Sequence, residues 1–480
     1  MICWVTLERI GRKRSESYMN QRPNILLFLT DDHGAWANGC YGNGEVQTPT
    51  LDALAARGTR FRHAFTPTPV CSPARANLLT GKAASQVGIH DWLQEWIPEV
   101  GERDWLGGTR TLFDYLSAGG YHCGLSGKWH LGQSHLPPRG ADYHFGLPGW
   151  QGSHNGSYTY ARNGEMVELV GNKSTIITDH AIEFLDTAPG DRPFFLNIGY
   201  IATHSPYRQQ EHDRRQTAKY ENCAFDEIPP WKAHPWLKNE GGGNELSEAE
   251  LRDRYIGYYA AVTEIDENIA RVIAALKARG QWENTIIIYS SDHGCAIGHR
   301  GFFGKGNSTR PLNMYEVSLR VPLIIAGPGV EAQVIDEYVD HCDTFQTICA
   351  LAGLDLPADE IFAGESYEPL LRGERMAWEN TRYGEYGDLR MIRDERWKLV
   401  WRYPSGPHDL FDLKADPAEL ENVFEAHPQV AAAYKARLDA WYAERNVAAL
   451  SGLRVKELPL HNHKEAWRDG EREGRGLQVY

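Results

Sequence analysis

The sequence predicts an α/β fold, a large and mostly parallel sheet covered by helices on both faces, followed by a smaller C-terminal α+β subdomain. Three observations carry this. From Pro23 onward, short β-rich runs alternate with helical patterns, the signature of such a sheet. The runs are too evenly apolar to have one wet face. After about residue 365 the pattern changes to short strands and one closing helix.

Asn24–Thr30 (NILLFLT) reads as the first buried strand. Thr48-Pro49-Thr50 then supplies a capping residue and a proline for a helix through LDALAARG, and Gly58 stops it. Phe194–Ala202, Asn284–Asp292 and Val321–Gly327 read as further core strands, with a long helix at about Ser247–Arg279 before the second of them. Residues 205–247 are different: polar, with Trp231, Trp236 and Gly241-Gly242-Gly243, and without a sustained period. TRYGEYG, LRMIRD and WKLVWRY predict the C-terminal strands, and Gln429–Arg445 the last helix. The reading divides the chain into a disordered tail (1–21), a catalytic domain (22–365) and a smaller subdomain (366–480).

The 480 residues comfortably exceed what a stable core requires, and a folded enzyme is expected. A formal net charge of -14 disfavours nucleic acid and anionic lipid as general partners, and no apolar run is long enough to span a bilayer. An anionic substrate would need a local cationic pocket. The 8 cysteines are scattered, without a C-x-x-C pair, and leave the compartment open. The opening MICWVTLERIGRKRSES lacks the features of a signal peptide, so a cytoplasmic location is expected, with Met19 an alternative start.

In open α/β sheets, ligands bind beyond the carboxyl ends of strands. Two predicted strands end alike, in Asp31-Asp32-His33-Gly34 and in Asp292-His293-Gly294. Three carboxylates brought to one edge repel unless a cation joins them. Oxygen-rich ligands with one histidine favour calcium, magnesium or manganese over zinc. Each aspartate could instead cap the turn after its strand, a reading that the matched pair weakens. Cys71-Ser72-Pro73-Ala74-Arg75 is more specific: Pro73 suits a first helical turn, which puts Cys71 at a helix N-terminus, where an anion is favoured. Arg75, one turn on, shares its side. Taken alone, Cys71 could be a low-pKa nucleophile or a packing residue.

The pentapeptide resembles the C-x-P-x-R signature of the sulfatases, a family of the alkaline phosphatase superfamily. Asn24–Gly34, Gly127-Lys128-Trp129-His130-Leu131-Gly132, Ala202-Thr203-His204-Ser205-Pro206, Ser291–Gly294, Gly304-Lys305-Gly306, Met314–Pro322 and Asp409–Asn422 are also similar to family segments. The resemblance implies an alkaline-phosphatase-like fold and hydrolysis of sulfate esters, with a sulfated carbohydrate the expected substrate. It implies that a maturation enzyme oxidises Cys71 to formylglycine, whose hydrate attacks sulfur. Asp31, Asp32, Asp292, His293 and residue 71 would then hold a divalent metal, Ca2+ before Mg2+ or Mn2+. Arg75 would steady the hydrated aldehyde, and Lys128 and Lys305 would bind sulfate oxygens. His204 would protonate the leaving alcohol, and His130 would act as the base that expels sulfate. His299 and Arg300 receive no role, since family members often carry a histidine where Arg300 stands.

Two other functions fit the same motifs: a phosphonate monoester or phosphodiester hydrolase of the superfamily, or a sulfated-glycan binder with Cys71 unmodified. Trp92, Trp96, Trp105, Trp231 and Trp236 could stack on sugars, although packing accounts for most such residues. Gly304-Lys305-Gly306 lacks the spacing of a phosphate-binding P-loop. Oligomeric state is not legible.

Overall fold

The computed structural model describes residues 22–149, 152–237 and 246–471; the expected tail and the Gly241-Gly242-Gly243 run lie outside the described residues. The large sheet has 11 strands. Eight come first in the chain: β1 (Asn24–Thr30), β2 (Thr59–Phe65), β3 (His122–Gly127), β4 (Tyr143–Gly146), β5 (Asn155–Arg162), β6 (Glu165–Asn172), β7 (Phe194–Gly199) and β8 (Thr285–Ser291). A separate two-stranded ribbon follows, β9 (Ala296–Ile297) and β10 (Phe303–Gly304). The sheet is completed by β11 (Arg320–Val321), β12 (Leu323–Ala326) and β13 (Gln333–Asp340). Its spatial order is β11-β2-β12-β8-β1-β7-β3-β4-β5-β6, with β13 beside β2.

Only the middle of this sheet is uniformly parallel. The neighbours β8, β1, β7, β3 and β4 run the same way, whereas β12 is antiparallel to both β8 and β2, and β5 and β6 form an antiparallel hairpin at one edge. Val321–Gly327 is thus a core strand, shorter than its motif and reversed in direction. The centre is buried on both faces because β1 has no polar position between Asn24 and Thr30. Ile25, Leu27 and Leu29 join one apolar cluster, and Leu26 and Phe28 another.

Six helices of nine or more residues cover the faces or the C-terminal sheet: α1 (Pro49–Arg57), α2 (Cys71–Thr80), α3 (Lys173–Thr187), α4 (Glu248–Ala278), α5 (His341–Leu351) and α6 (Pro428–Arg445). α2 and α5 pack on the Leu27 side, and α1, α3 and α4 on the Leu26 side. The long helix starts as its sequence predicts, Ser247 and Glu250 forming a capping box. α1 departs from expectation at its cap. Thr48 makes no capping bond; the amides of Thr50 and Leu51 are taken instead by the Asp266 carboxylate of α4, at 3.0 and 2.8 Å. Residues 209–220 within the irregular stretch form short helical turns.

The C-terminal sheet has the three expected strands, β14 (Arg382–Tyr386), β15 (Leu389–Arg393) and β16 (Trp397–Arg402), and a fourth, β17 (Asp409–Asp412), all antiparallel, with α6 on one face. Its other face shares a core with the large domain, since Phe65 and Val70 join Tyr386, Leu389, Met391 and Val400. No helix among the described residues is long and apolar enough to cross a membrane.

Candidate active site

The parallel centre of the sheet delivers the polar residues. β1, β8, β3 and β7 point their carboxyl ends the same way, in near-level register: Thr30 pairs with Ser291 and Gly127 with Gly199. The next residues are Asp31-Asp32, Asp292-His293 and Lys128, and His204 follows β7 a few residues on. Backbone bonds continue past the strands, from Asp292 N–H to Thr30 O (3.0 Å) and from Lys128 N–H to Gly199 O (2.7 Å). Gly199 is needed for that approach, because a Cβ there would lie 2.5 Å from Lys128 O. Cys71 begins α2, all ten residues of which are buried. Lys305 enters from the end of the β9–β10 ribbon, after Gly304.

These elements meet at Cys71. Its Sγ lies 3.4 Å from Asp31 Oδ1, 3.5 Å from His293 Nε2 and 3.1 Å from Lys305 Nζ. His293 Nε2 in turn lies 3.3 Å from Asp32 and 3.4 Å from Asp292. The His293 ring is oriented by its other nitrogen, 2.9 Å from Gly294 O. With the proton there, Nε2 faces the three carboxylates, and its lone pair would be free for a cation held among them, as in metal-ligating histidines. Lys305 donates to Asp32 (2.6 Å) and Lys128 to Asp31. Arg75 grips Asp292 through Nε at 3.0 Å and gives a second bond to Lys128 O at 3.0 Å.

The electrostatics show how crowded the charges are. Burial and the Cys71 thiolate oppose ionisation of Asp31, but Lys128, His204 and Lys305 hold its carboxyl below the ordinary range. Burial, then Asp31, raises Asp292 to about 6. Burial opposes the charged form of His293, yet Asp292 carries it up to about 9. Burial also opposes a Cys71 thiolate, but Lys128 and Lys305, helped by His130 and His204, pull the thiol well below its usual range. Three carboxylates and an imidazole around one point fit an oxygen-preferring divalent cation. Two overlapping sets, Asp31–Cys71–Asp292–His293 and Asp31–Asp32–Cys71–His204, each bring one donor atom per residue within 4.8 Å of one another.

All the residues expected from the sequence converge here. His130 reaches Cys71 and helps to lower its thiol pKa, its Nε2 being fixed on Leu93 O at 2.7 Å. His204 is oriented by Ser205 O at 2.9 Å. His33, which adjoins the aspartates in sequence, and His299 and Arg300 lie elsewhere. His33 is held inside the fold by Tyr289 and Ala37 O. His299 packs on Trp36. Arg300 lies over Tyr315 and bonds Ala418 O, facing the C-terminal sheet. The sequence reading missed Tyr207, whose hydroxyl donates to Asp32 Oδ2 (3.0 Å), and His341, whose Nε2 meets Asp292 O (2.8 Å). Neither sits in a motif; only the folded chain brings them to the aspartates.

A hydrolase of the alkaline-phosphatase type, with an oxygen-rich cluster that could hold a cation beside a cysteine that begins a buried helix, is the class that this fold and site define. The family model for sulfatases matches residues 23–354, and that for the C-terminal region of N-sulphoglucosamine sulphohydrolase matches residues 298–444. The chain belongs to the sulfatase family and is a sulfuric ester hydrolase. It is 31% identical to the uncharacterised Escherichia coli sulfatase YidJ, over 84% of each chain. It is 27% identical to the N-acetylglucosamine-6-O-sulfatase of Bacteroides thetaiotaomicron, over 84% of this chain and 83% of the relative. Its fold is shared with a structure solved in complex with D-glucosamine-2-N,6-O-disulfate (TM-score 0.74, 24% identity, 89% of this chain and 99% of that one).

Proposed function

We propose that this sulfatase cleaves the sulfate ester of a carbohydrate, with formylglycine made from Cys71 as nucleophile and a divalent cation, Ca2+ for preference, held by Asp31, Asp32, Asp292, His293 and residue 71. The observation that carries the proposal is the convergence of those five side chains and of Lys128, Lys305 and Arg75 on one buried point. When present, the cation would supply Lewis-acid polarisation, and the hydrate of the aldehyde that a maturation enzyme forms would supply the hydroxyl nucleophile toward sulfur.

The remaining chemistry belongs to unmodified side chains. Lys128 and Lys305, on carboxylates here, are long enough to turn their ammonium groups to sulfate oxygens and neutralise the charge that develops on them. Arg75 fixes Asp292 and, through Lys128 O, the start of the loop that bears His130. His204 gives a proton to the leaving alcohol, and His130 Nδ1 takes the proton released as sulfate departs.

The sugar reading is supported by the named substrate of the Bacteroides relative and by the saccharide in the structural neighbour. A relative named for choline sulfate, the choline-sulfatase of Rhizobium meliloti at 28% identity, marks the alternative within sulfate esters. The Agrobacterium radiobacter phosphonate monoester hydrolase shares the fold (TM-score 0.70) and marks the alternative outside them. Initial rates on sulfated mono- and disaccharides, choline sulfate, an aryl sulfate and an aryl phosphonate monoester separate the three. The highest kcat/KM should fall on a sulfated saccharide; preference for choline sulfate or for the phosphonate would overturn the substrate assignment.

A further inference from the structure

The turn Asp91–Ile97 is clamped onto the catalytic centre from both sides. Leu93 N–H donates to Ser72 Oγ at 3.0 Å, one residue from Cys71. Leu93 O faces His130 Nε2 at 2.7 Å. The side chains that this turn displays are therefore tethered within three residues of a backbone that touches both Ser72, next to Cys71, and His130. The flanks are equally fixed. Asn462 Nδ2 donates to Trp92 O (2.9 Å), and Gln94 N–H to His461 O (2.9 Å). The Glu95 carboxylate accepts from Gly132 N–H (2.8 Å) and the Ser134 hydroxyl (2.9 Å), both in the loop that carries His130.

The turn displays two indoles. Trp92 is half-buried against the cluster that contains Val70 and Tyr386. Trp96 is 45% exposed. Their ring centroids are 5.7 Å apart and their planes inclined by 37°. A large apolar ring left in water costs hydrophobic free energy, and a backbone pinned at both ends stops it from folding away. Other exposed apolar side chains, such as Val170 on the edge hairpin and Leu420 in the C-terminal region, stand on elements without these ties to the catalytic loops. A flat indole face suits the C–H face of a pyranose; a small neutral acyclic alcohol offers nothing to stack, and a choline ammonium is best held by a closed aromatic cage, not by one exposed face. Glu95, the acidic neighbour that would repel a sulfated ligand, is occupied by the His130 loop.

We infer that Trp92 and Trp96 form a sugar-binding platform at the mouth of the site, Trp96 stacking on a pyranose of the substrate and Trp92 bracing it. The inference rests on the carbohydrate reading above and adds the residues that select a ring.

The test uses the matured full-length enzyme and the sulfated saccharide that wild type cleaves best. Trp96→Ala should lower kcat/KM about tenfold, the change falling on KM, because stacking holds substrate and transition state alike. Trp96→Tyr should restore most of it. The inhibition constant of inorganic sulfate, which reads the sulfate pocket alone, should stay the same. An unchanged KM in Trp96→Ala overturns the platform and leaves the carbohydrate reading standing. A wild type that cleaves acyclic sulfate esters but no sulfated saccharide overturns both. Weakened sulfate inhibition, with no rescue by Trp96→Tyr, would make Trp96 a structural prop and also overturn the platform.

Discussion

Cys71 is 2% exposed, with Asp31, His293 and Lys305 around its sulfur. A side chain so placed packs among charged groups and does not fill apolar space. Cys71→Ala should therefore abolish turnover and change the urea midpoint little, within about 1 kcal/mol of wild-type stability. Cys71→Ser should be almost as inactive over many turnovers, since a serine offers a single hydroxyl and cannot reform an aldehyde; sustained wild-type rates in that variant would reject formylglycine chemistry. At this scale the sequence was most legible where chemistry sits in contiguous motifs. Asp31, Asp32, Asp292 and His293 directly follow strands, and Cys71 and Arg75 share a helical turn, so local spacing placed them. Tyr207 and His341 were not legible, because their contacts with Asp32 and Asp292 span loops and depend on tertiary packing.

Among elements, α1 shows packing overriding a local signal. Thr48 has the residue type of a cap, yet Asp266 on α4 supplies the acceptor. Burial pushes the Asp266 carboxyl up to about 6, although the Leu51 and Thr50 amides pull the other way. A carboxyl that keeps its proton to higher pH when folded than when unfolded loses stability as pH rises, here between about 4 and 6. Asp266→Asn removes that dependence. Denaturant titrations at both ends of the window should show the wild type losing on the order of 2 kcal/mol relative to the variant as pH rises; a constant difference would mean that Asp266 ionises as an exposed carboxylate does. The elements read best were long or uniformly apolar, α4 with its Ser247 cap and β1 with seven buried residues. β5 and β6 were missed because their buried and exposed positions are mixed with glycines and charges, the pattern of an edge hairpin. The direction of β12 was missed because apolarity carries no information on polarity of the chain.

For the whole molecule, the site is a joint. It ties the ends of β1 and β8 to α2 and to the ribbon that bears Lys305, so its charge balance matters to stability as well as to rate. Withdrawing the proposed cation would leave Asp31, Asp32 and Asp292 facing one another. Exhaustive chelation should lower both activity and melting temperature, and Ca2+ should restore both, because a ligand that binds the native state alone stabilises it. Asp292→Asn should weaken metal affinity and recover part of its activity at high metal, whereas Asn at the exposed Asp191 should change neither property. The two-layer core and the C-terminal sheet were legible from periodicity. Their shared core was not, since Phe65 and Val70 meet Met391 and Val400 across more than half the chain.

The central claim is that residue 71 works as an aldehyde. Peptide mass spectrometry of the protein from its natural host, with specific activity measured on the same preparations, tests it most directly. The account predicts formylglycine at position 71 and activity that scales with the fraction converted. Full activity in a preparation that carries only the unmodified thiol at residue 71 would contradict it.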